Sequence, residues 1–201
     1  CIRDRIQVTD GANTDTITVT VNVQDVNEFS PEFGDGDTAT ATPNENQQAV
    51  GTYAATDADG SATQTYSILT AAQNPASVDH DLFSVGAGGV LAFSSAPDFE
   101  TPGCGAGDNS NTCAVVIQVT DGANTDTITV TVTVQDLNDE TPAFTSSGTP
   151  SINENVRNVL TLAASDTDAG DSATFAITGG ADSELFEIDG GTTLPVSYTH
   201  L

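Results

Sequence analysis

The chain has 201 residues, of which 29 are acidic and 3 are basic, for a net charge of −26. So little positive charge excludes phosphate-rich partners, both nucleic acid and anionic membrane surfaces. Lysine is absent, which removes a Walker-type phosphate loop, and no apolar run approaches the ~20 residues that cross a bilayer. An acidity of this kind belongs either to a solvated surface or to carboxylates gathered around hard cations, and composition leaves both open.

In chain order, the first predicted element is a hairpin over residues 1–28. Ile17, Val19, Val21 and Val23 alternate with Thr16, Thr18, Thr20 and Asn22, a period of two with one apolar face. Asp10-Gly11-Ala12-Asn13 before it is turn chemistry. Short apolar runs follow at 53–56, 65–69 and 90–93, separated by Gly, Asp, Asn and Pro. Cys104 and Cys113 bracket a Gly/Asp/Asn/Ser loop, and Cys1 sits at almost the same place in an earlier copy. Loop-closing disulfides and free thiols are both compatible with that spacing; the former fits an oxidising compartment. The hairpin then returns, with strands over 115–119 and 126–135 joined by Asp121-Gly122-Ala123-Asn124. Beyond it come runs at 160–164 and 174–177. A strand like 88–93 is expected again near Leu194, where Pro195 removes a ladder donor. The tail 195–201 is either a non-native continuation or a diverged edge strand.

Residues 8–33 (VTDGANTDTITVTVNVQDVNEFSPEF) and 119–144 (VTDGANTDTITVTVTVQDLNDETPAF) are nearly the same segment, 111 positions apart. That period is a whole domain rather than a solenoid turn. It divides the chain into a closing hairpin (1–28), a complete repeat (29–139) and an opening part of a third (140–201), so the chain is expected to be a piece of an array. No segment has a helical period with caps, and many short strands between turns predict an all-β architecture of tandem Greek-key β-sandwiches.

Five short motifs stand in one order, most of them present twice. Asp136-Leu137-Asn138-Asp139-Glu140-Thr141-Pro142-Ala143-Phe144 resembles the inter-repeat motif DxNDxxPxF of the cadherin repeat family. Asp98-Phe99-Glu100 resembles its DxE, and Glu45-Asn46 its opening-strand glutamate. Asp57-Ala58-Asp59 and Asp166-Thr167-Asp168 resemble its DxD, and Asp121 after Val-Thr its late-strand aspartate. The glycine-rich loops look more like bacterial cadherin-like repeats than animal ones. The resemblance covers nearly all of the chain.

What the resemblance implies is three calcium ions at each junction between repeats. At the second junction the ligands would be Glu45, Asp98, Glu100, Asp136, Asn138, Asp139, Asp166 and Asp168, with main-chain carbonyls of Leu137 and Glu140. The seven carboxylates among them bring −7 against +6 from three ions. Calcium takes 6–8 oxygens, more than one short loop offers to three ions. Both repeats and the linker must therefore contribute, and the metal should stiffen the hinge. The first junction would use Asp25, Asn27, Glu28, Asp57, Asp59 and Asp121. Glu28 stands there in place of the linker's second aspartate, and an upstream glutamate and DxE are missing from the set.

The implied role is a calcium-rigidified adhesive or structural rod, extracellular or on a cell surface. Its partners are neighbouring repeats of the same chain, and beyond them another surface protein or a polysaccharide. Two alternatives are a calcium-dependent carbohydrate-binding module, poorly supported by three tyrosines and no tryptophan, and a passive spacer. No GxSxG or HExxH motif occurs, so no enzyme is expected. His80, between Asp79 and Asp81, is expected to be solvated.

Overall fold

β-branched residues alternating with threonine suit a pleated strand with one buried face, and the protein is built almost wholly of such strands. The computed structural model describes residues 2–59, 63–105, 107–168, 170–191 and 193–195. Short 3-10 turns are the helical elements among them. The chain forms two compact units. One comprises Cys1–Ala41, Ala49–Ser94 and Cys113–Val132, and the other Thr42–Gln48, Ser95–Thr112 and Thr133–Leu201.

The first unit opens with the predicted hairpin, β1 (Ile2–Thr9) antiparallel to β2 (Thr14–Val21), with Ile6 opposite Ile17. Nearly all of its side chains are exposed. Next come β3 (Glu32–Phe33), β4 (Thr38–Ala41), β5 (Ala49–Thr52), β6 (Ala55–Thr56), β7 (Thr65–Ile68), β8 (Phe83–Val85), β9 (Val90–Phe93), β10 (Thr112–Thr120) and β11 (Thr125–Thr133). They assemble into a four-stranded sheet β4-β11-β10-β7, a three-stranded sheet β5-β9-β8 and the pair β3-β6. β4 joins β11 in parallel, with Ala39 opposite Val130, whereas β7 joins β10 antiparallel.

The period-2 face of β10 and β11 makes the core: Val115, Ile117, Val119, Ile128, Val130 and Val132 are completely buried. Leu91 and the stacked pair Phe83–Phe93 are buried from the three-stranded sheet. Gly89 has φ +76°, and a Cβ there would lie 1.8 Å from the Tyr53 carbonyl oxygen, so the turn before β9 admits only glycine. Tyr53 N–H donates to the Gly89 carbonyl at 2.8 Å, tying this turn to the segment between β5 and β6.

The second unit carries β12 (Ala143–Phe144), β13 (Asn158–Thr161), β14 (Ala164–Ser165) and β15 (Thr193–Pro195), paired as β12-β14 and β13-β15. The strand expected near Leu194 is present and carries Pro195 at its end, opposite Asn158. Residues 196–201 lie outside the described residues. The run 174–177 does not form a strand. Its counterpart β7 is held by hydrogen bonds to β10, and nothing in the described part of this unit plays the role of β10.

Cys104 and Cys113 are buried and disulfide-bonded, while Cys1 lies outside the described residues. His80 is not a solvated side chain: it is partly buried, its Nδ1 lies 3.0 Å from the Ser77 carbonyl, and its Nε2 lies 3.3 Å from Asp81. It opens the 3-10 turn His80–Leu82. Among the described residues no helix is long and apolar enough to cross a bilayer.

Candidate metal centre

The second unit gathers acidic side chains from four places in the sequence. Glu45 follows Asn44, which bridges Gln135, and Glu45 N–H donates to the Gln135 carbonyl at 3.0 Å. This pairing draws the 44–46 segment alongside the 135–140 linker. The Glu45 carboxylate is buried and accepts two backbone N–H groups, Leu137 at Oε1 (2.9 Å) and Phe99 at Oε2 (2.8 Å). One side chain thus clamps the DxE loop and the linker together.

Asp98 Oδ1 caps its own loop by accepting Glu100 and Thr101 N–H at 3.1 Å. Asn111 donates to the Phe99 carbonyl at 3.0 Å. Glu100 is thereby turned inward. The DxD turn has the same logic: Asp168 N–H donates to Asp166 Oδ1 at 3.2 Å, and Asp168 Oδ2 accepts Glu140 N–H at 3.0 Å.

Two groups of carboxylate oxygens result, each with its members within 4.8 Å of one another: Glu45, Glu100 and Asp139, and Glu100, Asp136 and Asp168. Glu100 belongs to both. Like charges this close do not share a dry site without compensation. Burial raises the Glu100 carboxyl to about 7, and the charges of Glu45, Asp136 and Asp168 push it the same way against the pull of its own backbone hydrogen bond. Asp168 is raised as well, first by burial, despite the Glu140 N–H, with Asp166, Asp139 and Asp136 adding to it.

In the first unit Asp59 Oδ2 accepts Phe29 N–H at 2.7 Å, and Asp59 N–H donates to Asp57 Oδ1 at 2.9 Å. Asn27, with its amide turned to donate, reaches Asp121 Oδ2 at 2.9 Å and Asp59 Oδ2 at 3.3 Å. Asp121 Oδ1 is spent on its turn, accepting Ala123 and Asn124 N–H. These amides, Asn124 first, hold its carboxyl below the usual range. Asn124 also donates to the Phe29 carbonyl at 2.8 Å.

The residues named from the sequence therefore fall into two sets. Glu45, Glu100, Asp136, Asp139, Asp166 and Asp168 converge, as do Asn27, Asp57, Asp59 and Asp121. The side chains of Asp98, Leu137, Asn138, Asp139 and Glu140 in the second set, and of Asp25, Asn27 and Glu28 in the first, are exposed; Leu137 and Glu140, expected to offer carbonyls, donate backbone N–H groups to Glu45 and Asp168. Sequence reasoning missed Asn46, which has φ +61° and donates its side-chain amide to Asp139. Its signal was the recurrent Asn-Glu-Asn, since Asn155 shares the left-handed conformation at φ +68°. Asn111 and Asn124 were missed too; nothing but their nearness to the motifs marked them.

The donor set suits a hard divalent cation. Asp57 Oδ2, Glu100 Oε1 and Asp168 Oδ1 are shut off from water and receive no hydrogen bond. Buried carboxylate oxygens in that condition are costly, and oxygen-only donors of this kind are what calcium takes.

No protein-family model matches the sequence, and no curated protein matches it. Solved structures do. Mouse protocadherin-24 EC1-3 superposes with a TM-score of 0.59 at 20% identity, over 98% of this chain and 66% of that one. Human protocadherin-24 EC1-2 gives 0.58 at 24%, over 84% and 80%. The protocadherin gammaB7 EC3-6 cis-dimer structure gives 0.61 at 22%, over 98% and 50%. The fold is that of cadherin ectodomains. This chain spans about two thirds of the first of these and half of the last.

Proposed function

We propose that the chain is a run of calcium-binding cadherin-like repeats, with repeat limits at 28/29 and 139/140, in which shared cations stiffen the junctions of an adhesive or structural rod outside the cell. The observation that carries this reading is the double carboxylate group centred on Glu100, with buried oxygens that no hydrogen bond satisfies. Glu45, Asp98, Glu100, Asp136, Asp139, Asp166 and Asp168 would hold the ions, with the Asn138 side chain and the Leu137 and Glu140 carbonyls. The ions supply the positive charge that the cluster lacks. The protein's own part is to pre-position the oxygens: Glu45 clamps two loops, and Asp168 pins the linker at Glu140.

Asp25, Asn27, Glu28, Asp57, Asp59 and Asp121 form a second, poorer set at the other junction. The cadherin ectodomain likeness also supports an extracellular setting and contact with neighbouring repeats. Its wider adhesive partner would be another surface protein or a polysaccharide. Extracellular calcium modules work at roughly 10⁻⁴–10⁻³ M. Small-angle scattering of the chain in chelator and in millimolar calcium tests the reading. Calcium should raise the maximum dimension and narrow its distribution, with a higher melting temperature; superimposable profiles and unchanged melting would refute it.

A further inference from the structure

Resting on the calcium reading for the affinity it predicts, we propose that Asn111 is a positioning residue of the DxE loop and that the Cys104–Cys113 disulfide holds it in place, so that the cation cluster reaches full affinity only after the two thiols are oxidised.

The loop that carries Asp98 and Glu100 has little structure of its own. β9 ends at Phe93 and β10 begins at Thr112, and among the described residues between them no strand or helix forms. A connection this long owes its shape to particular cross-links. Asn46 N–H donates to the Pro97 carbonyl at 2.9 Å. Phe99, between Asp98 and Glu100, is gripped at both ends of its backbone. Its N–H donates to Glu45 Oε2 at 2.8 Å, and its carbonyl accepts Asn111 Nδ2 at 3.0 Å. That carbonyl lies in the peptide plane leading into Glu100. Fixing the plane fixes the direction in which Glu100 leaves the backbone.

Asn111 also reaches the linker. Its own carbonyl accepts Val134 N–H at 2.8 Å, two residues before Asp136. One residue therefore ties the DxE loop to the start of the segment that brings Asp136 and Asp139. What holds Asn111 is the closed span 104–113 in which it sits. Ser110, its neighbour, pairs with Cys104 through two backbone bonds: Cys104 N–H to the Ser110 carbonyl at 3.0 Å, and Ser110 N–H to the Cys104 carbonyl at 3.2 Å. Both cysteines are buried and bonded. Within the span Gly105 and Asn109 have φ +80° and +49°. For asparagine that region is sparsely populated, and closing the loop removes the open-chain alternatives that compete with it. The bond also restrains the downstream end of the DxE loop, since Cys104 follows Glu100 after only Thr101, Pro102 and Gly103.

Closure is a thiol–disulfide exchange. The two cysteine thiols give up two protons and two electrons, the Sγ–Sγ bond forms, and a low-molecular-weight disulfide is reduced to two thiols. With the bond open, the 104–113 span is free to leave its turn and Asn111 is no longer aimed at Phe99. Loss of a partner that orients metal ligands costs about 10–100-fold in affinity.

The test compares the full parent chain with three variants: Asn111→Ala, the pair Cys104→Ala with Cys113→Ala, and all three substitutions together. Calcium titration calorimetry should show about tenfold weaker binding for Asn111→Ala and for the cysteine pair. The triple variant should be no weaker than the cysteine pair, because groups that act as one unit are not additive. Amide hydrogen exchange in chelator reads the same clamp without metal. The Phe99 amide should exchange faster in every variant, while the amide of Val130 in the buried core keeps its protection. Unchanged calcium affinity and Phe99 protection in Asn111→Ala, whose disulfide is intact, would overturn the proposal even if the cysteine variants failed to fold. Losses that add in the triple variant would overturn the link between Asn111 and the disulfide. Phe99 and Val130 losing protection together would overturn it as well, by making the disulfide a general support of the domain. Faster Phe99 exchange in a chain that binds no calcium in any form would uphold the clamp and refute the calcium reading.

Discussion

Glu100 is the residue on which the carboxylate cluster turns, since it belongs to both carboxylate groups. Glu100→Gln keeps its size and removes its charge. Calcium affinity measured by titration calorimetry should fall roughly tenfold or more, because affinity in such sites follows ligand charge. Metal-free stability should hold or rise, because repulsion within the cluster is relieved. Titration gives a second prediction. The Glu100 carboxyl is raised from 4.5 to about 7 in the folded chain without metal. Between these values the folded state binds a proton that the unfolded state has released, so stability is highest below about 4.5 and declines as pH rises toward 7. Denaturation midpoints measured in chelator across that range should fall with rising pH; a midpoint that rises monotonically would contradict the placement of Glu100. The ordinary caps and turns behave differently. Asp10, held at about 2 by the amides of Asn13 and Ala12, stays ionised throughout this range.

Among the elements, the turn before β9 has no room for a side chain at Gly89. Gly89→Ala would place a methyl group on the Tyr53 carbonyl oxygen, and thermal unfolding should show a loss of about 2–4 kcal/mol. Gly88→Ala meets no atom within 4 Å but keeps the positive-φ penalty of about 1 kcal/mol, so the difference between the two measures the clash. The strands of the core were legible because Ile128, Val130 and Val132 alternate with threonine and one face buries. What alternation does not reveal is partnership. The parallel pairing of β4 with β11 spans some 90 residues, and a run of Thr-Ala-Thr-Ala carries no mark of its neighbour. The same blindness explains 174–177: Phe175 and Ile177 have a strand's pattern, but a strand is a property of two segments. At the cluster the acidic motifs stood out, whereas the amides that orient them did not. Asn46, Asn111 and Asn124 are short polar residues in loops full of such residues, and only the folded backbone shows which ones point at Asp139 or at the Phe99 and Phe29 carbonyls.

At the scale of the whole molecule, a charge of −26 costs stability by self-repulsion, and neutralising even a few sites should matter. A ligand that binds only the folded state stabilises by RT ln(1 + [L]/Kd), about 2.7 kcal/mol at a hundredfold excess over Kd. Calcium should therefore raise the melting temperature in proportion to the logarithm of its concentration, and sodium at equal ionic strength should not reproduce the effect. The most direct test is a crystal structure grown in millimolar calcium with anomalous scattering recorded. Anomalous peaks enclosed by Glu45, Glu100, Asp136, Asp139 and Asp168 are the predicted result. The same side chains turned into solvent, with no anomalous density between them, would contradict the account.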